Sequence, residues 1–206
     1  MRSVFDELAE DYDSWFERHP AVYQSELEAL SRALTGGLGL EVGVGTGRFA
    51  SFFGVKIGLD PSTAMLSLSK IREIEPVRGI AEALPFKDAV FDQVLFVTSL
   101  CFTKRPEKAL MEANRVLRKN GRVVIGLIDR GSPLGQEYIS KVKHSRFYEG
   151  AIFHSTEEVL EMMRKSGFIP YTTFQTIFQE PERITTPSQI TAGYGRGLFV
   201  VLSGKK

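Results

Sequence analysis

From Leu38 onward, short apolar runs rich in valine and isoleucine alternate with segments of helical spacing, and no other feature of the chain restricts its fold as strongly. The runs are LGLEVGV at 38–44, VKIGL at 55–59, PVRGI at 76–80, FDQVLFV at 91–97 and GRVVIGLI at 121–128. A strand that is apolar on both faces needs a helical layer above and below it. The alternation therefore predicts an α/β fold, with parallel strands joined by crossover helices on both faces. Two further runs, YTTFQTIF at 171–178 and GLFVVLS at 197–203, follow one another without a helical segment, which predicts an antiparallel pair at the end of the sheet.

The helices carry their own end signals. Pro61 is expected to open one, because a first-turn residue needs no backbone N–H, with Ala64, Leu68 and Ile71 on a common face. A second is expected over 106–119, with Leu110, Ala113 and Leu117 inward and a left-handed glycine cap at Asn120-Gly121. Ser155 and Glu158 form a capping box ahead of Val159, Leu160 and Met163, and Gly167 ends that helix. Two segments fall outside the alternation. Residues 1–34 hold Phe5, Tyr12, Trp15 and Phe16, then a helix from Pro20 with Leu27, Leu30 and Leu34 in register; such a segment could cover a pocket. Residues 130–153 mix aromatic, basic and small side chains without clean periodicity, in the kind of loop where an open parallel sheet carries its site.

No internal repeat or polar linker divides the 206 residues, which read as a single domain. Twenty-six basic residues against 25 acidic leave a formal charge of +1, so nothing draws the chain to nucleic acid by charge alone. No run approaches the roughly 18 apolar residues of a spanning helix, and the opening MRSVFDELAED turns acidic where a secretory leader turns apolar. A cytoplasmic protein without a membrane segment is expected. Cys101 is the one cysteine, which forbids an intrachain disulfide and reads as a small buried hydrophobe. The three histidines are dispersed and predict no metal site.

The stretch EVGVGTG at 41–47 follows the first strand and opens the next helix. Glycines there let the backbone turn tightly and approach a ligand closely, and the free N–H groups of the following helix favour an anionic group. Asp60 ends the second strand seventeen residues after Gly43, near the interval at which a carboxylate meets a ribose; it can also cap the next helix. The third glycine falls one place early for the dinucleotide fingerprint, which argues against nicotinamide cofactors. No Gly-Lys-Ser/Thr follows, which argues against an ATPase-type phosphate loop.

With these residues the chain resembles the class I S-adenosylmethionine-dependent methyltransferases, in particular the small-molecule branch. EVGVGTG is similar to the family's first motif and GLDPSTAML at 58–66 to its acidic-strand motif. GIAEALPFKDAVFDQV at 79–94 and PEKALMEANRVLRKNGRVVI at 106–125 match later ones, and weaker similarity runs through 153–168 and 193–201. The resemblance implies a Rossmann-like fold with a seven-stranded, mostly parallel sheet whose last strand is antiparallel. It implies methyl transfer from S-adenosylmethionine to a small-molecule acceptor by in-line displacement, leaving S-adenosylhomocysteine. Glu41, Gly43, Val44, Gly45 and Gly47 would surround the methionine portion of the cofactor and Asp60 would bind the ribose hydroxyls. Pro61, Ser62 and Met65 would flank the adenosine, Ala81 and Glu82 would lie beside adenine, and Val97 and Thr98 would close the site at the fourth strand. Two departures stand out. Ile80 occupies the place where the family frequently has an aspartate for the adenine amine, and Cys101 and Phe102 stand where many relatives have a histidine pair.

Candidates for the acceptor are Tyr12 and Trp15 in the amino-terminal segment and His144, Phe147 and Tyr148 in the 130–153 insertion. Each has a plain alternative: the aromatics as helix core, and His144, inside the run KVKHSR, as part of a solvated face. The absent histidine pair also leaves open a cofactor-binding sensor or partner module without catalysis. The fourth strand ends in FVTS rather than the Asn/Asp-Pro-Pro-aromatic motif of enzymes that methylate nucleic-acid amines, which points away from nucleic acid as the acceptor.

Overall fold

The computed structural model describes residues 4–206. Three helices open the chain, α1 (Val4–Glu7), α2 (Ala9–Arg18) and α3 (Pro20–Ser31). The alternation follows: β1 (Gly39–Val42), α4 (Arg48–Phe52), β2 (Ile57–Asp60), α5 (Thr63–Ile71), β3 (Glu75–Arg78), β4 (Phe91–Val97), α6 (Pro106–Val116), β5 (Leu117–Ile128), α7 (Pro133–Val142) and α8 (Thr156–Lys165). The chain closes with β6 (Ile169–Thr176), β7 (Thr191–Ala192) and β8 (Phe199–Lys205). The sheet order is β3-β2-β1-β4-β5-β8-β6-β7. The first five strands are mutually parallel; β8 lies antiparallel between β5 and β6, and β7 pairs antiparallel with the outer edge of β6. The α/β architecture expected from the sequence is therefore present, with one strand more than the seven expected: β7 is two residues long, too short to register as an apolar run.

Side chains of β4 alternate between two cores, which is why its stretch 94–97, VLFV, is apolar without a break. Val94 and Phe96 pack with Leu110, Ala113 and Met163 of α6 and α8 on one face, while Leu95 and Val97 pack with Val22, Leu30 and Phe49 of α3 and α4 on the other. Polar groups fix the helix ends. Ser155 and Glu158 make the expected capping box, and Gly167 takes the left-handed turn (φ +85°) that stops α8.

Other local expectations are corrected. Ser62, not Pro61, caps α5 by accepting a hydrogen bond from the Met65 N–H, and Pro61 lies one place before the cap. The buried face of α5 is Met65, Leu66 and Ser69, whereas Ile71 is 77% exposed: packing onto α1 and the sheet, rather than apolar spacing alone, sets the rotation of this short helix. Helix α6 ends at Val116 because Leu117 already enters β5, and the left-handed residue is Asn120 (φ +67°) rather than Gly121. The 130–153 segment, read as lacking periodicity, contains α7, opened by Pro133 and capped by Ser132. Within 1–34, α3 is not a cover, since Leu27, Ala29 and Leu30 are buried against the sheet; only α1 and α2 lie over the strand ends.

One contact ties the sheet to the glycine turn. A Cβ at Gly58 of β2 would fall 2.7 Å from both methyl carbons of Val44, so the turn after β1 can lie on β2 only because residue 58 has no side chain. Gly58→Ala is expected to cost about 1–3 kcal/mol by overpacking, read by urea denaturation. Adding Val44→Ala should recover part of that loss; no loss at Gly58 would show the turn to be free to move aside.

Candidate active site

The carboxyl end of β1 lies between β2 and β4, where the chain's successive crossovers depart to opposite sides and an open parallel sheet leaves a crevice. The turn after it is built by close approach. Gly43 has φ +72°, and a Cβ there would sit 2.4 Å from Cβ of Ser99, whose hydroxyl donates to the Val42 carbonyl at 2.6 Å. Gly45, at φ +53°, faces the other way, and a Cβ would meet the Tyr12 ring at 3.6 Å. Gly47 lies behind the turn against Ser69, and Val44 packs on Gly58, so neither lines the crevice.

Asp60 holds this turn in place. Its Oδ2 accepts from Gly45 N at 3.0 Å and its Oδ1 from Ser62 N at 2.9 Å, which couples the glycine turn to the start of α5. Burial raises its pKa; the two backbone N–H groups oppose that, and nearby Asp6 adds to it. Each carboxylate oxygen retains a further lone pair for a hydroxyl donor. The helix after the glycine turn, α4, has only five residues, so the turn and Asp60 shape this end rather than a long helix dipole.

The crevice is a cavity of about 370 Å³, within the range of small-molecule sites. Gly43, Gly45, Asp60, Pro61, Met65, Ala81, Glu82, Val97 and Thr98 line it, as do Tyr12, Trp15, Phe147 and Tyr148. Glu41, Val44, Gly47, Ser62 and His144 do not. Ser62 turns its hydroxyl to Asp6 at 2.7 Å, and His144 is exposed in the solvent-facing turn after α7. Glu82 is committed in part, since its Oε1 accepts from the N–H groups of Lys104 and Arg105 at 2.9 and 3.1 Å and so anchors the start of α6. Ile80 lies at the rim, 53% exposed, and offers no acceptor there. Cys101 donates to the Thr98 carbonyl at 3.3 Å, and burial pushes its thiol up to about 12, which leaves it a poor base.

The cover is fastened to the turn. Asp13 of α2 receives two hydrogen bonds from Arg48, at 2.8 and 2.7 Å, and one from Arg72 at 2.8 Å; Arg72 also donates to the Thr46 carbonyl within the glycine turn at 2.9 Å. Burial works against the Asp13 carboxylate, but the guanidinium groups hold its pKa down to about 2. On the far side, Arg146 pairs with Glu7 at 2.6 Å, and the Tyr138 and Tyr148 hydroxyls meet at 3.3 Å.

Sequence reasoning missed Glu26, Ser99, Tyr138 and Phe199, which also line the cavity. Glu26 left a legible trace: it sits four residues from both Val22 and Leu30 and breaks the apolar stripe of α3. The others reach the cavity from the turn after β4, from α7 and from β8, segments far apart in sequence. The lining contains the carboxylates of Glu26, Asp60, Glu82 and Glu182 and no lysine, arginine or histidine, in a chain whose total charge is nearly balanced. Just outside the lining, Glu41 is buried with Oε2 unpartnered. Burial raises the Tyr12 pKa, with the fields of Glu26, Glu41 and Asp60 adding to it. This is a setting for a cation.

Burial pushes both Glu26 and Glu41 up to about 8. Unfolded, each carboxyl ionises near its ordinary value of 4.5, so between that pH and 8 the folded chain holds protons that the unfolded chain has lost. The unfolding free energy is therefore expected to fall as pH rises through this window. Glu26→Gln should flatten the fall, measured by chemical denaturation at pH 5, 6, 7 and 8; a variant with the wild-type slope would show that Glu26 does not titrate in this way.

Comparison with known proteins agrees with this geometry. A methyltransferase domain model matches residues 40–125, from β1 into β5. An uncharacterised protein of Methanocaldococcus jannaschii is 45% identical over 204 residues, 99% of each chain. The crystal structure of an S-adenosylmethionine-dependent methyltransferase of Thermotoga maritima, described as a possible histamine N-methyltransferase, superposes with a TM-score of 0.95 at 43% identity over 98% of each chain. Among the described residues no helix is long and apolar enough to cross a membrane. The chain is a member of the class I S-adenosylmethionine-dependent methyltransferase family.

Proposed function

We propose that S-adenosylmethionine lies along the Gly43–Asp60 side of the cavity, and that the methyl acceptor enters the aromatic chamber formed by α2, α7 and the turn at Arg146–Tyr148. The observation that carries this is the lining itself: four carboxylates and many rings, without a basic side chain, suit a ligand that carries a sulfonium and an ammonium. Asp60 would take the ribose hydroxyls. Gly43 and Gly45 would give the backbone access to the methionine portion, with one unpartnered oxygen of Glu41 buried just below. Pro61, Met65, Ala81 and Glu82 would bound the adenosine, and Val97 and Thr98 the transferable methyl.

When bound, the cofactor supplies an activated methyl group. The chain's own contribution is alignment and exclusion of water. Helix α2, clamped by Arg48 and Arg72, helix α1, tied through Glu7 to Arg146, and the 130–153 insertion would cover the reacting atoms, leaving one domain with two covering segments. Tyr12, over Gly45 and electrostatically coupled to Glu26, Glu41 and Asp60, stands between the cofactor side and the chamber. The single cysteine agrees with a cytoplasmic enzyme.

Calorimetric titration with S-adenosylhomocysteine tests the assignment. Saturable binding is expected, and Asp60→Ala should weaken it by about 1.5–3 kcal/mol through loss of charged hydrogen bonds to the ribose. Unchanged affinity in a variant that still melts cooperatively would remove Asp60 from the site.

A further inference from the structure

Glu26 is the one buried carboxylate of the lining that the cofactor assignment leaves without work and the fold leaves without a partner. It is 8% exposed, faces the cavity from α3, and only burial perturbs it: no hydrogen bond or ion pair to it is found among the described residues. Its neighbours Val22 and Leu30 on the same stripe are apolar, so an apolar residue would serve helix packing better there. The surroundings are aromatic. The field of Glu26 reaches the phenols of Tyr12, Tyr23 and Tyr138, and Trp15 stands on the same wall of α2 as Tyr12. The lining has no basic group that could pair with a carboxylate or phosphate on the acceptor, and Glu182 at the rim adds a further negative charge on the way in.

Building on the cofactor position proposed above, we propose that the acceptor is a small amine, held as its ammonium ion by the Glu26 carboxylate and the ring faces of Trp15 and Tyr138, and that Glu26 takes the proton the nitrogen must lose before it attacks. A carboxylate and aromatic rings are the two groups that recognise a desolvated ammonium. A neutral amine meeting a protonated Glu26 and an ammonium meeting its carboxylate give the same bound pair. The step then balances. The proton passes from nitrogen to a Glu26 oxygen, and the freed lone pair forms the N–C bond as the C–S bond breaks with its electron pair left on sulfur. The product leaves as the methylated ammonium, and Glu26 returns its proton to solvent.

Trp15 is the only tryptophan in the chain, so its fluorescence reports occupancy of the chamber directly. With S-adenosylhomocysteine present, wild type is titrated with 2-phenylethylamine and with its neutral counterpart 2-phenylethanol, and both titrations are repeated on Glu26→Gln. Wild type is expected to bind the amine at least about tenfold more tightly than the alcohol, as a charge-assisted hydrogen bond allows. The variant should lose that preference while keeping its affinity for the alcohol and for S-adenosylhomocysteine. Equal binding of the two probes by wild type, binding of neither, or a variant that keeps the preference would each overturn the proposal. Weakened S-adenosylhomocysteine binding in Glu26→Gln would overturn it differently, by assigning Glu26 to the ammonium of the cofactor. Wild type that binds no S-adenosylhomocysteine would instead refute the cofactor reading on which the proposal rests. If the variant fails to fold, the wild-type comparison of amine and alcohol decides the matter alone.

Discussion

The carboxylate of Asp60 receives one hydrogen bond from the glycine turn and one from the start of α5, and the geometry of the whole cavity depends on that bridge. It joins the ends of β1 and β2, neighbouring parallel strands of a sheet whose position is fixed by cores on both faces. Two further constraints act on the same turn. Gly58 lets Val44 lie flat on β2, and the Arg72 guanidinium grips the Thr46 carbonyl while holding Asp13 of the cover. The turn is thus located from below by packing, from the side by Asp60 and from above by a half-buried ion-paired network.

Burying Glu26 and Glu41 works against folding, and the fold offers them little in return. Glu41 is opposed in its burial only by the Ala50 backbone and has one orphaned oxygen, while Glu26 has no partner. Buried carboxyl groups with so little compensation persist where function needs them, because a ligand of opposite sign to the ionised form supplies the missing interaction. The absence of basic side chains from the lining gives the cavity one electrostatic character, suited to cationic reactants on both of its sides. That leaves alignment, rather than a histidine base at the place now held by Cys101, as the main resource of the site, with a carboxylate available where a proton must be removed.

How much was legible follows from which interactions are local. Strands β1 to β5 and the capping box of α8 could be read directly, because apolar runs and cap residues act over a few neighbours. Residues of the first two motifs that reached the cavity, Gly43, Gly45, Asp60, Pro61 and Met65, do so because strand ends and the turns after them converge in this architecture. Errors came where a neighbour in space outweighed one in sequence. The rotation of α5 is set by α1 and the sheet, β7 is too short to have a pattern, and His144, named with Phe147 and Tyr148 as candidates in the 130–153 insertion, is exposed to solvent while those two line the cavity.

By itself the sequence determined the layered sheet, the glycine turn after its first strand and the carboxylate one strand away, since periodicity, chain stiffness and spacing are properties of the chain. Only the tertiary structure decided which acids share a cavity. Glu26, Asp60, Glu82 and Glu182 lie on four separate segments, and nothing in their spacing announces that they meet or that every basic residue is kept outside. Electrostatic character belongs to a volume enclosed by distant segments, and that volume exists only after two cores and a clamped cover have fixed where each segment ends.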